Sequence, residues 1–324
     1  GFVSSRIHHR WCISLSSMAS GIALGFVAMS TGLRTLHISL FVLGMVAAIY
    51  LPSGIATLTS LVHSTHWGKA IGIHELAPNL SFVTAPLVCE GLLLLFSWRG
   101  VLLVFGAIAL FLGFGFARFG TGGRFHGAPP SLRSSKSLLS LPSFWIMTLL
   151  FSLGLGATMG VYTMLPLYLV TEHAFEREWA NTLVAFSRVS GLFMAFLSGW
   201  VTDRMGARKT MLVVLVLAGS MTLLLGIAPT SWVVLFVFLQ PVMAASFFPP
   251  GFAALSAIGP KEMRSLAVSL NLPLASVLGS GLIPMWIGFM GDRLSFSMGF
   301  AWVGIVVILG AFLSLGLRLC PNGD

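Results

Sequence analysis

Read for apolar runs between polar breaks, the chain gives ten segments near the roughly 20 residues that a helix needs to cross a bilayer. Their limits are 11–32, 36–61, 70–95, 100–118, 144–170, 179–201, 210–228, 231–256, 265–290 and 297–318. Runs such as Leu92–Phe96 and Met211–Leu217 are apolar on every face, whereas a membrane β-strand alternates apolar and polar positions. The pattern therefore predicts an all-α polytopic membrane protein. Gly, Ala and Ser interrupt the spans, and small residues let membrane helices pack closely. The longest internal polar stretch, 119–142, is rich in Gly, Pro, Ser and basic residues. It reads as a flexible linker between an N-terminal half, 1–118, and a C-terminal half, 143–324.

Composition closes off the other classes. Of 324 residues, 18 are Lys or Arg and 9 are Asp or Glu, so 8% are charged. An ordinary soluble domain carries about 25%. The hydrophobic share is 56% and the mean hydropathy +0.96. These values exclude a water-soluble enzyme and an intrinsically disordered chain. A nucleic-acid binder is excluded too, despite a pI near 10.3, because the basic residues are scattered in ones to threes between apolar stretches. Cys12, Cys89 and Cys320 are far apart and point to neither a disulfide framework nor a zinc site.

The basic residues set the topology. Taking the breaks alternately, one side holds Arg6, Arg10, Lys69, Arg118, Arg124, Arg133, Lys136, Arg204, Arg208, Lys209, Lys261, Arg264 and Arg318. The other holds Arg34, Arg99, Arg177 and Arg293. The first side is expected in the cytoplasm, with the chain in a bacterial inner membrane. Arg188 falls inside a span.

A shift of 198 residues relates the two halves. It pairs Gly1 with Gly199, Arg6 with Arg204, Arg10 with Arg208, Met45 with Met243, Ala47 with Ala245, Pro52 with Pro250, Pro86 with Pro284 and Gly106 with Gly304. The segment Gly199-Trp-Val-Thr-Asp203-Arg204-Met-Gly206-Ala-Arg208-Lys209 resembles the G-x-x-x-D-R-x-G-R-R loop signature of the major facilitator superfamily, with Ala207 replacing one Arg. The copy at the start of the chain is degenerate, with Ser5 at the Asp position and His8 and His9 replacing Gly and Arg. Ser97-Trp98-Arg99-Gly100 is also similar to the opening of the sixth helix in that superfamily. The resemblance implies a monomeric twelve-helix carrier without cofactor, of which this chain holds helices 3–12. It further implies that Asp203 latches neighbouring helices, with Gly199, Arg204, Gly206 and Arg208 in the same device. On this reading the chain is a fragment, and alone it is expected not to transport. From the residues alone, Asp203 can pair with Arg or with the N-terminal end of a neighbouring helix.

A charge at mid-membrane is costly and usually functional. Arg188 cannot shed its proton, so it must face protein, water or an anion. Its planar fork fits a carboxylate or nitrate. The resemblance adds that an Arg on the eighth helix holds anionic substrate in some branches of the superfamily. A structural Arg bound to carboxylates or carbonyls of a neighbouring helix is the plainer reading. His74 and Glu75, one turn inside their helix, can couple or gate protons, or can be a helix-end pair with Lys69 and other basic loop residues. Glu75 and Asn79 share a face. Glu90, further along, would meet water or Arg99. The resemblance places the central path along helices 4, 7 and 10, and so nominates Tyr50, Ser53, Thr57, Thr158, Tyr162 and Gln240, with Asn271 on helix 11. Each can instead bond a neighbouring helix. Gly154, Gly156 and Gly160, and Pro249-Pro250, can bend helices. His8, His9, His63 and His66 lie in loops without a third metal ligand in sequence. The absence of a Walker-type phosphate loop and of a hydrolase constellation argues against an ATP-driven pump and a membrane hydrolase.

The sequence thus predicts a secondary carrier, not an enzyme, for a small anion, working by alternating access and coupled to protons or a counter-substrate. Proton-driven efflux of a drug or metabolite, and a non-transporting membrane sensor, remain open.

Overall fold

The computed structural model describes residues 2–127, 132–258 and 263–318, and side chains over most of these. Ten helical stretches correspond to the ten expected spans. They are α1 (His9–Ala28), α2 (Leu33–Leu61), α3 (Trp67–Leu93), α4 (Trp98–Phe119) and α5 (Pro142–His173). Next comes α6, built from Arg177–Ser187, the 3-10 turn Arg188–Ser190 and Gly191–Met205. The last four are α7 (Ala207–Ile227), α8 (Thr230–Ser256), α9 (Arg264–Arg293) and α10 (Phe296–Gly316). Among the described residues, eight of them are long and apolar enough to cross a membrane; α3 and α6 are not in that set. No strand occurs among the described residues. The linker is partly helical, at Leu132–Leu139. Cys320, Lys261 and the Glu90 side chain lie outside what is described.

In lipid every backbone group must be satisfied within the protein, which favours unbroken helices with good ends. Ser97 opens α4 by accepting the Gly100 amide (3.4 Å), and Ser295 opens α10 by accepting that of Met298 (3.1 Å), as capping residues do. Pro142 stands in the first turn of α5, where its missing N–H costs nothing. Gly206, with φ 82°, makes the tight turn from α6 into α7, a conformation that favours glycine. Among the described residues, two helices widen locally. Residues Gly156–Gly160 of α5 and Val277–Leu282 of α9 are π-helical bulges, a form frequent at functional sites.

The residues group into two compact units. Unit 1 comprises Gly1–Val62, Thr84–Ser137 and Gly259–Ser269. In it α1 lies along α4. A Cβ on Gly106 would stand 2.8 Å from the Gly21 carbonyl oxygen, so the backbones meet where neither residue has a side chain. Ser17 bonds the Ala109 carbonyl (2.7 Å) across the same seam, and Arg99 bonds that of Ser30 (2.9 Å).

Unit 2 comprises His63–Val83, Leu138–Ile258 and Leu270–Asp324. Here α7 lies along α10. A Cβ on Gly304 would stand 2.7 Å from the Gly219 carbonyl oxygen. Gly21 with Gly106 and Gly219 with Gly304 are the same crossing, 198 residues apart. That shift also carries α1–α4 onto α7–α10 to within three residues at each end. The interior of unit 2 is aromatic, and aromatic pairs favour edge-on and tilted contacts. Phe151 packs edge-on to Phe247 (5.2 Å), and Tyr168 sits 4.8 Å from Phe300. The Tyr168 hydroxyl donates to the Leu225 carbonyl at 2.7 Å. Large apolar side chains such as Phe111 (75% exposed) and Phe193 (79% exposed) point outward, where an apolar solvent receives them.

Candidate functional site

The candidate site in unit 2 begins with a break in a helix. At Arg188–Ser190 the α-helix of α6 tightens into a 3-10 turn at mid-span. Facing it, α5 widens into the π-bulge at Gly156–Gly160. The bulge has a packing cause. A Cβ on Gly160 would stand 3.1 Å from the Gly279 carbonyl oxygen, and one on Gly279 would stand 3.0 Å from the Gly156 amide nitrogen. The two bulged segments of α5 and α9 thus touch backbone to backbone, at Gly279 and at Gly156 and Gly160, which the sequence marked as possible bends.

Arg188 reaches the bulge. It is 5% exposed, and its guanidinium donates to the Thr158 carbonyl at 2.8 Å. Its central carbon stands 4.0 Å from the centroid of the Tyr162 ring, a cation–π stack worth about 2 kcal/mol when desolvated. Thr158, Tyr162 and Arg188 therefore converge, as residues of one cluster. The Thr158 hydroxyl is turned back onto the Gly154 carbonyl (2.7 Å), so this residue offers the cluster its carbonyl and not its hydroxyl.

The other nominated polar groups have definite partners or places. Gln240 donates to the Ala157 carbonyl (2.7 Å) and to Thr222 (3.2 Å), tying α8 to the bulge and to α7. Asn271 donates to Thr148 (2.9 Å), while its buried Oδ1 meets no donor among the described residues. In unit 1, Ser53 is 2% exposed and lies beside Cys12. Thr57 lies under the linker, where a Cβ on Gly123 would stand 2.8 Å from its hydroxyl. Tyr50 is 41% exposed. Among the described residues no group of three His, Cys, Asp or Glu comes together that could hold a metal.

A second feature joins α6 to α3. The Asp203 carboxylate accepts the Gly68 amide at 2.7 Å and the Lys69 amide at 3.0 Å. These amides belong to the first turn of α3, where no intrahelical acceptor exists and the helix dipole favours an anion. The Lys69 ammonium adds a contact at 4.0 Å. Of the two partners open to Asp203 from sequence, the helix end is the one observed. Arg204 instead stacks over Trp200 (3.9 Å), and Arg208 donates to the Leu315 carbonyl. Gly199 matters by contact: a Cβ on it would overlap the Gly68 carbonyl oxygen, so only glycine lets α6 come close enough for Asp203 to reach. The pairing of Glu75 with Lys69, one sequence expectation, is not the arrangement found. Glu75 pairs with His74 Nδ1 at 3.2 Å and is 6% exposed, while Lys69 turns to Asp203. Asn79 donates to the Glu75 carbonyl (2.7 Å), and its Oδ1 lies 3.9 Å from where a Cβ of Gly191 would stand. Gly191 closes the 3-10 turn that Arg188 opens.

Sequence reasoning missed Glu172. Its carboxylate accepts the Phe296 and Ser297 amides and the Ser297 hydroxyl, capping α10 from the end of α5. The signal for it was scarcity, since with nine acidic residues in the chain each one near a span invites a search for its partner.

Comparison with known proteins agrees with this architecture. Residues 1–194 and 178–323 match the family model of the Major Facilitator Superfamily. A curated relative, the "Probable L-galactonate transporter" of Escherichia coli (strain K12), is 21% identical over 302 residues, or 84% of this chain. The chain spans 66% of that relative's length. Among solved structures, the E. coli fucose:proton symporter FucP superimposes with a TM-score of 0.80 at 12% identity, covering 98% of this chain and 85% of that one. The human organic anion transporter MFSD10 gives 0.80 at 15% identity, covering 95% of this chain and 77% of its own. At these identities the structural likeness speaks for the fold. The family match covers nearly the whole chain, and with it the chain is an integral membrane protein of the Major Facilitator Superfamily.

Proposed function

We propose that the protein is a secondary carrier for a small organic anion, a carboxylate, and that Arg188 is the group that holds it. One observation carries the reading: a permanently charged guanidinium is buried at mid-span and held in pose by a carbonyl and a phenol ring. A carboxylate is the ligand that such a fork binds in a bidentate manner. The printed name of the E. coli relative, a transporter of a sugar acid, supports the same substrate class. Tyr162 orients the guanidinium, and Tyr50, Ser53, Thr57, Gln240 and Asn271 are proposed as further polar positions along the path.

Substrate movement would follow alternating access of the two halves, 1–118 and 143–324, around a site near mid-membrane. Proton or counter-substrate coupling is assigned to His74 and Glu75, whose helix packs against the one that carries Arg188. Asp203, with Gly199, Arg204, Gly206 and Arg208, is the latch between α6 and α3. The excess of basic residues supports a cytoplasmic position for the loops at Arg118, Arg204 and Lys209, and the membrane is proposed to be a bacterial inner membrane. The carrier is proposed to act as a monomer.

Uptake of labelled sugar acids and short carboxylates by cells producing the protein at its full natural length tests the reading. Arg188→Ala is expected to weaken uptake about 10- to 100-fold, the worth of a hydrogen-bonded charge pair, with Arg188→Lys between the two. Wild-type rates in both variants would overturn it. Export of uncharged drugs would favour efflux, and ligand binding without movement would favour a sensor.

A further inference from the structure

We propose that unit 1 binds the phosphate of an anionic phospholipid head group, in a pocket framed by His8, Arg10, Trp11, Ala117 and Arg124. The pocket is a cavity of about 300 Å³ between the start of α1 and the end of α4. Its position is built, not accidental. After α4 the chain folds back and zips onto the start of α1: the His9 amide donates to the Phe125 carbonyl (3.1 Å) and the Arg10 amide to that of Gly123 (3.0 Å). Two successive glycines at positive φ, Gly122 (φ 78°) and Gly123 (φ 65°), set Arg124 beside Arg10. Glycine is the residue that takes this conformation without steric cost.

The chemistry of the walls selects an anion. Two guanidinium groups and an imidazole line the pocket, with no carboxylate among its lining residues. The Arg10 guanidinium donates to the Ala117 carbonyl at 2.8 Å, and its Nε meets no acceptor among the described residues. The Ala117 bond explains Arg10 as a brace on the end of α4. It does not explain Arg124, which is exposed, nor His8, whose ring stacks on that of His126 at 4.1 Å. A phosphate, with several acceptor oxygens, would engage both guanidiniums.

The surroundings select a lipid as its bearer. Trp11 is 48% exposed next to Arg10, and Phe119, 78% exposed, carries Arg118 over its ring at 5.5 Å. Exposed aromatic residues at a helix end mark the head-group level, and basic pockets between helices at that level take acidic head groups. The proposal does not depend on the transported substrate.

Native mass spectrometry of the purified protein, offered phosphatidylglycerol or phosphatidylcholine, tests the site. Phosphatidylglycerol is expected to be retained preferentially. Arg124→Gln should lower its retention about fivefold, and Arg124→Lys should restore it. Arg124 is exposed, so its replacement leaves the Arg10–Ala117 brace intact, and Arg34→Gln, on the exposed opposite end of unit 1, should change nothing. Equal retention of the two lipids, wild-type retention by Arg124→Gln, or an equal loss in Arg34→Gln would overturn the proposal. A third arm adds inorganic phosphate at millimolar concentration; complete displacement of the lipid would assign the pocket to a free anion and overturn the lipid reading.

Discussion

Replacing Asp203 by alanine should release the first turn of α3. The carboxylate accepts two amides, those of Gly68 and Lys69 at 2.7 and 3.0 Å, from a side chain that is itself 6% exposed. Removing a capping side chain costs about 0.5–2 kcal/mol, and a partly buried anion at a helix N-terminus contributes up to about 2 kcal/mol. Two amides share this anion, so the upper end applies, about 2 kcal/mol. That corresponds to a roughly 30-fold change in a local opening equilibrium. Backbone hydrogen exchange reads such an equilibrium directly. The Gly68 and Lys69 amides should exchange about 30-fold faster in Asp203→Ala than in the wild type. Asp203→Asn keeps an acceptor oxygen and loses the charge, so about fivefold is expected there, near about 1 kcal/mol. The effect should be confined to the start of α3 and the end of α6. Unchanged exchange at Gly68 and Lys69 in the alanine variant would refute the capping argument. So would a uniform rise across both units, because that would report general loosening and not a lost cap.

Two further outcomes follow from the same geometry. Gly199→Ala puts a methyl group onto the Gly68 carbonyl oxygen and should destabilise the protein by about 1–3 kcal/mol, the usual cost of overpacking. A lowered unfolding temperature in detergent checks it, with Gly115→Ala, which meets open space, as the neutral control. Glu172→Gln removes the anion that caps α10, so the Phe296 and Ser297 amides should exchange about fivefold faster, for about 1 kcal/mol. Equal exchange in variant and wild type would refute this cap.

What could be read in the sequence was what depends on one helix at a time. A span is visible because lipid demands about 20 apolar residues in a row, and Arg188 is visible because it violates that demand. What depends on two helices was not visible. Asp203 declared itself as an acid at a helix end, but its amide partners lie far earlier in the chain, at Gly68 and Lys69. The contact of Thr57 with the linker was not visible either, because hydropathy names the residues of α2 without saying which face meets α1. The approach of Ser53 to Cys12 is hidden in the same way. The linker read as flexible from its Gly, Pro and Ser content, yet Leu132–Leu139 forms a helix. Short amphipathic turns lie below the length at which periodicity is decisive.

The internal repeat divides these features by their physical demands. The glycines of the two long crossings, Gly21 with Gly106 and Gly219 with Gly304, occur in both copies. A backbone contact fails with any side chain larger than hydrogen, so the requirement is absolute wherever the two helices meet. The charged loop is different: Asp203 has Ser5 at its counterpart, and Gly206 and Arg208 face His8 and Arg10. An acidic cap contributes about 1–2 kcal/mol and can be dispensed with where other bonds hold the segment. Beside the degenerate copy the chain is held in another way, the His9 and Arg10 amides at the start of α1 being taken by the Phe125 and Gly123 carbonyls. The same fold-back leaves Arg10 and Arg124 side by side, with no acid in the pocket that they line. The degenerate copy has exchanged a site that supplies an anion for one that is suited to receive it.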